Sequence, residues 1–207
     1  MDHLFTPEDY IAIACQVKSE LRRRMRGLRA ALSSETRGEK SVLVVESLAR
    51  HEVFAGVRTV GLYAPMVHRC ELDIDPLFAI LRQRGIDVAY PRVLEDGGLA
   101  FYRVESLSVL EERGNGFREP ADDEGTRIEA LDAIVVPAVG ADLQGNRLGY
   151  GGGAYDRALA SFAERPRTIA VLYDFQVLVE VPQLATDVPV DWVLTDRRVF
   201  HCGTPQI

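Results

Sequence analysis

Short apolar segments with strand character recur along this chain, and helix starts fall between them. This alternation limits the available folds more than any other feature. Strand signals stand at Thr59–Tyr63, Asp87–Tyr90, Ala100–Val104, Ala133–Val136, Thr168–Leu172 and Trp192–Leu194. Between the first two, Asp75-Pro76 forms an N-cap and first-turn pair for a helix ending near Gly85. A later helix begins near Ala154 and ends before Pro166. Strands separated by helices build a mostly parallel sheet covered on both faces. Upstream, Thr6-Pro7-Glu8-Asp9 supplies a capping hydroxyl, proline at the first helical position and acids in the first turn. That helix runs to about Leu32, with Ile11, Ala14, Val17, Leu21, Met25, Leu28 and Leu32 at helical spacing. Ser33-Ser34-Glu35 caps a second helix through about Ala49. Gly114 to Thr126 reads as a polar, acid-rich loop, and Pro91, Pro137 and Pro189 as strand-end punctuation. With 207 residues and no internal repeat, the chain predicts a single domain, 1–207, whose residues 1–50 form a helical arm packing on the α/β body.

The segment that carries chemistry is Arg147-Leu-Gly-Tyr-Gly-Gly-Gly-Ala-Tyr-Asp-Arg157. Glycine has no Cβ, so its N–H groups can approach a ligand closely and adopt positive φ. Ahead of a helix N-terminus, unpaired N–H donors and the helix dipole together favour an anion. Arg147 and Arg157 add guanidinium donors for phosphate. Asp156 beside a phosphate calls for a cation between them, and Mg²⁺ held by one or two carboxylates plus phosphates meets that need. The reading is a nucleotide phosphate site; a bare triple glycine would be read as a surface turn.

Two common nucleotide motifs fail here. Gly140 and Gly145 have Walker A spacing, but Asn146-Arg147 follows where Lys-Ser/Thr is required. Gly149 to Ala154 satisfies G-x-G-x-x-G/A, yet the preceding strand ends near Val136, about a dozen residues too early for a dinucleotide turn.

Lys18, Arg22, Arg26 and Arg29 fall within an arc of about 80° on the first helix. An apolar stripe runs beside them, so that side packs on the body and the basic edge overhangs a neighbouring cleft. Such an edge is often merely solvated. A net charge of −7 argues against broad nucleic-acid binding and requires positive potential to be concentrated locally. No apolar run reaches the ~18 residues of a membrane span. Three widely spaced cysteines (Cys15, Cys70, Cys202) form neither a disulfide framework nor a zinc pattern, and His3, His51, His68 and His201 lack ligand spacing. The N-terminus has no signal-peptide pattern, so a cytoplasmic location is expected.

With these residues in hand, the chain resembles the 5-formyltetrahydrofolate cyclo-ligase (methenyltetrahydrofolate synthetase) family. The markers appear in order: Lys18-x-x-Leu21-Arg22, Tyr63, Glu71-Leu-Asp73, Tyr90-Pro91-Arg92 and Gly116-Phe-Arg-Glu119-Pro120. Then come Val136-Pro137, Asp142-x-x-Gly145-x-Arg147 through Arg157, Asp187 and Asp191-x-Val-Leu-Thr195-Asp196. The resemblance implies an α/β fold of three layers, α/β/α, like that of phosphosugar isomerases and CoA transferases. It implies ATP- and Mg²⁺-dependent closure of 5-formyltetrahydrofolate to 5,10-methenyltetrahydrofolate, with release of ADP and phosphate. Phosphorylating the formyl oxygen gives an activated iminium phosphate that N10 attacks, after which phosphate departs. Small molecules are then the partners, with neither nucleic acid nor membrane, and the chain acts as a monomer or homodimer.

By position, Lys18 and Arg22 would hold ATP phosphates, with Lys18 and Arg147 carrying the chemistry. Arg147, Leu148, Gly149, Tyr150, Gly151, Gly152 and Gly153 would form the phosphate cradle, lined by Ala154 and Tyr155. Asp156 and Asp187 would bind Mg²⁺. Glu71 would accept hydrogen bonds from the pterin, with Met66 and Ala154 beside the folate. Ala154 and Val67-His68-Arg69-Cys70 depart from the family pattern, since a larger, often aromatic side chain usually stands at position 154. Two alternatives therefore stay open: a nucleotide- and folate-binding paralogue acting on another N-formyl or amide compound, and a non-catalytic regulator.

Overall fold

The computed structural model describes residues 6–114, 116–123 and 126–203. Eight strands form the main sheet: β1 (Thr59–Gly61), β2 (Asp87–Val93), β3 (Leu99–Arg103), β6 (Arg127–Ile128), β7 (Ala133–Pro137), β10 (Arg167–Leu172), β11 (Trp192–Thr195) and β12 (Val199–His201). Their order is β12-β11-β10-β7-β1-β2-β3-β6. The five central strands run parallel, and antiparallel β12, β3 and β6 complete the edges. Two short hairpins lie outside it: β4 (Glu111–Arg113) with β5 (Phe117–Glu119), and β8 (Gly140–Ala141) with β9 (Arg147–Leu148).

Side chains alternate along each central strand, and both sets are apolar because both faces are covered. Val135, Ile169 and Val171 face helices α2 (Ser34–Ala49) and α3 (Asp75–Gln83), joining Val44, Leu48, Leu77 and Leu81 in the larger core. Ile134, Val136, Ala170 and Leu172 face α4 (Ala154–Ser161), packing with Ala158 and Leu159. The layers are α/β/α, as the sequence resemblance implied. Helix α2 packs into the larger core, and α1 (Pro7–Ala30) precedes it.

The capping box of α1 forms as expected: Thr6 Oγ1 accepts from Asp9 N–H, and Asp9 accepts from Thr6 N–H. Its buried face departs from the expected stripe. Ala14, Lys18, Met25 and Arg29 are buried, whereas Ile11, Val17 and Leu28 are 51%, 39% and 45% exposed. The cause is position. Met25 packs on Val139, Leu148 and Val181, on the segments that follow the carboxyl ends of β7 and β10. There Lys18 finds the Asp187 carboxylate and Arg29 the Tyr150 hydroxyl, so these two are buried while Arg26 of the same arc stays exposed.

Three smaller expectations are corrected. Asp75 is the first residue of α3 rather than its cap; Ile74 takes the cap position, and the Asp75 carboxylate binds Arg118 at 2.7 Å. Pro91 lies inside β2 instead of at its end. Ala89 is the last β2 residue bonded toward β1, through Leu62 N–H at 2.9 Å, so the N–H that proline lacks would point past the end of β1. Part of the segment read as an acid-rich loop is strand β5, pairing Glu119 with Glu111. His3 of the sequence reading, and Asn115, Glu124 and Gly125 of that loop, lie outside the described residues. Among the described residues, no helix is long and apolar enough to cross a membrane.

Candidate active site

The β8–β9 hairpin delivers the glycine segment to the carboxyl end of the parallel sheet, where open α/β sheets bind ligands. Asp142 builds its turn. Fully buried, it accepts from Gln144 N–H, Asn146 N–H, Asn146 Nδ2 and Val181 N–H at 2.9–3.0 Å. Gly145, at φ 89°, brings the turn so close to Val190 that a Cβ would lie 2.3 Å from its carbonyl oxygen. Beyond β9, Gly153 caps α4 at φ 66°, a left-handed geometry suited to glycine. The loop is fastened from both sides. Arg22 Nε donates to Gly149 O at 2.8 Å. Arg157 donates to Gly152 O at 2.9 Å and to Gly97 O at 2.6 Å. Arg157 thus clamps the loop, and it also lines the second of the two cavities described next.

Two cavities meet at this loop. The first, about 200 Å³, is lined by Tyr63, Met66, Glu71, Pro91, Phe117 and Glu119 on one side and Tyr150, Gly152, Ala154 and Tyr155 on the other. The second, about 570 Å³, is lined by Lys18 and Arg22 of α1, by Gly151, and by Thr186 and Asp187. Arg147, Gly149, Gly153 and Asp156 border both. The residues expected at folate (Glu71, Met66, Ala154) therefore sit together in the first cavity. Of those expected at ATP, Lys18, Arg22, Arg147, Gly149, Gly151 and Gly153 line the second; Tyr150, Gly152, Ala154 and Tyr155 line only the first. Leu148 lines neither, because its side chain fills the small core beneath α1.

Arg147 is the central charge. Its side chain is 3% exposed, and NH2 donates to Asp156 Oδ1 at 2.8 Å. Nε and NH1 are buried with no hydrogen-bond partner among the described residues. Leaving such donors unpaired is costly, and an anionic oxygen would offset that cost. In the second cavity Lys18 pairs with Asp187, which also accepts from Leu184 N–H at 2.8 Å.

A buried polar chain organises the first cavity. Glu71 accepts from Met66 N–H at 2.8 Å and from the Tyr150 hydroxyl, which in turn accepts from Arg29. Burial, above all, raises the Glu71 carboxyl above the usual glutamate range, while those two hydrogen bonds, Arg29 and Arg69 pull it down. Burial and then the Glu71 charge push the Tyr155 hydroxyl upward, and Tyr150 moves the same way, so both remain hydrogen-bond donors. Arg29 shares the helical arc of Lys18, but its reach to Tyr150 was not legible, because an arc gives no distance to a loop 121 residues away.

The donor set suits Mg²⁺. Asp156 and Asp187 line the second cavity, and each has one oxygen engaged by protein donors: Oδ1 of Asp156 by Arg147 and Val188 N–H, and Oδ2 of Asp187 by Lys18 and Leu184 N–H. Among the described residues no group of three or more His, Cys, Asp or Glu side chains is arranged to hold a metal. Two carboxylates are what a hard cation needs when phosphates and water supply its remaining ligands.

Comparison with known proteins gives the family and the fold. The NMR structure of 5,10-methenyltetrahydrofolate synthetase from Aquifex aeolicus superposes with a TM-score of 0.78 at 34% identity, covering 92% of this chain and 95% of that one. A synthetase structure from Mycoplasma pneumoniae, at 24% identity, shares the fold with a TM-score of 0.70 over 87% of this chain and 99% of its own. The 5-formyltetrahydrofolate cyclo-ligase of Escherichia coli K12 is 27% identical over 182 residues, 86% of this chain and 99% of that protein. The mouse enzyme of the same name is 25% identical over 190 residues, 86% of this chain and 91% of its own. Matched across residues 14–196, the chain belongs to the 5-formyltetrahydrofolate cyclo-ligase family.

Proposed function

We propose that the chain uses ATP to close 5-formyltetrahydrofolate to 5,10-methenyltetrahydrofolate, releasing ADP and phosphate. One observation carries the reading: the Arg147 guanidinium, with two unpaired buried nitrogens, stands in the wall between the two cavities. A transferring phosphoryl group must lie at such a boundary, between its donor and its acceptor.

The triphosphate occupies the second cavity. Lys18 and Arg22 hold it from α1, and the N–H groups of the glycine loop and the α4 N-terminus hold it from below. Asp156 and Asp187 would hold Mg²⁺. Bound there, the ion supplies neutralising charge and a fixed orientation for the phosphates. The ion pairs Lys18–Asp187 and Arg147–Asp156 are consistent with this arrangement, since a magnesium triphosphate offers each member its opposite charge. In the first cavity Glu71 accepts the pterin N–H donors, with Met66 and Tyr155 as apolar walls. The residues chiefly position the reactants and offset charge, which suffices for phosphoryl transfer. We place the reaction in the cytoplasm, where the three cysteines, all free, stay reduced.

The test is formation of methenyl-folate absorbance from 5-formyltetrahydrofolate, with ATP and Mg²⁺ each omitted in turn. Product only with all three present is the expected result. Binding of both ligands without product would instead identify a regulator.

A further inference from the structure

Besides Glu71 and the boundary residue Asp156, the first cavity holds a third carboxylate, Glu119. It ends β5, is 8% exposed, and lines the same walls as Glu71. Among the described residues its carboxylate has no hydrogen bond or ion pair. Across the strand Glu119 pairs with another acid, Glu111, and the adjacent Arg118 is engaged by Asp75 at 2.7 Å. A carboxylate that lines a cavity without a protein donor is open to a hydrogen-bond donor from a ligand. Glu71 differs, because Met66 N–H and the Tyr150 hydroxyl occupy one oxygen each. Glu71 is therefore held by protein donors, while both Glu119 oxygens face the cavity without one. Two acids in different surroundings within one site take different roles.

We propose that Glu119 accepts the N10 proton during ring closure, an inference that rests on the functional reading above. Once the formyl oxygen carries the phosphoryl group, the N10 lone pair forms a bond to the formyl carbon. The C=N5 π pair returns to N5, leaving N10 positively charged and its proton acidic. That proton passes to a Glu119 oxygen. The carbon–oxygen bond then breaks, its electron pair leaves with phosphate, and the N5 and N10 lone pairs share the resulting methenyl cation. Glu119 releases the proton to water before the next cycle.

The test is Glu119→Gln, which preserves shape and removes the basic oxygen. Expected is a kcat lowered ~10²- to 10⁴-fold with the folate KM within about threefold of the parent. Since phosphoryl transfer precedes the blocked step, rapid quench should still show a burst of ADP near one per site. Formate added to Glu119→Ala should restore part of the turnover, an effect that a purely structural role would not produce. A kcat within about threefold of the parent, or a burst lost together with kcat, overturns the proposal. So does a raised folate KM at unchanged kcat, which would make Glu119 a binding acceptor. Glu71→Gln separates the two levels. A raised folate KM there, with Glu119→Gln unimpaired, rejects the proton role alone, whereas a parent without methenyl product rejects both.

Discussion

Asp156 makes its contacts through one oxygen, to Arg147 and to Val188 N–H. Asparagine keeps an oxygen for both, so Asp156→Asn should retain the folded circular dichroism spectrum while abolishing turnover at any Mg²⁺ concentration. Wild-type rates in that variant would remove the metal assignment. Glu71 gives a pH prediction. Burial raises its carboxyl above the ordinary glutamate range, so it binds a proton at higher pH than an exposed glutamate. Folate held by the ionised form is therefore lost as pH falls through that raised value, and the folate KM should climb on acidification. Folding has the opposite sign: the stability linked to the retained proton is complete below the ordinary range and is lost as pH rises through the raised value. Glu71→Gln should raise the folate KM about 10- to 100-fold, the loss of one charged hydrogen bond, and flatten its pH dependence in that window. At Ala154 an aromatic ring would stack in the first cavity; Ala154→Tyr should lower the folate KM about 2- to 10-fold. Sequence located these three residues because each belongs to an ordered string. Arg29 and Glu119 were harder, since their significance lies in a partner gained or lacking across the fold.

At the level of elements, the glycine loop gives the clearest experiment. Gly153→Ala forces a Cβ into φ 66° and within 3.1 Å of Arg157 NH1, straining the cap and the clamp together. A left-handed alanine costs ~1–2 kcal/mol. In a chain of this size the melting temperature should fall about 2–8 °C, and the ATP KM should rise. An unchanged melting temperature would show that the loop relaxes freely. The central strands were readable from sequence because burial on both faces makes each a nearly continuous apolar run. The hairpins β4–β5 and β8–β9 were not, being two or three residues long and largely set by turns and distant partners such as Val181 on Asp142. The face of α1 was misjudged for a related reason: periodicity finds the apolar stripe, but Lys18 and Arg29 are buried by acids and hydroxyls that other segments supply.

For the whole molecule, ligand binding should appear as stability. If Lys18, Arg147, Asp156 and Asp187 exchange their mutual pairs for a magnesium nucleotide, ATP with Mg²⁺ at ~100 times Kd should add about 2.7 kcal/mol. That corresponds to a melting shift of about 5–11 °C, and ATP with EDTA should give much less. Equal shifts under both conditions would argue against the two carboxylates as the metal site. The fold class was legible because alternating strands and helices leave few other solutions. The assembly of the site was legible only in outline, since it depends on α1 lying across segments remote in sequence.

Arg147, Gly149, Gly153 and Asp156 form a party wall: whatever one occupant does to its shape or charge, the neighbour feels. Thermodynamics makes that influence mutual. Any factor by which nucleotide tightens the hold on folate must equal the factor by which folate tightens the hold on nucleotide.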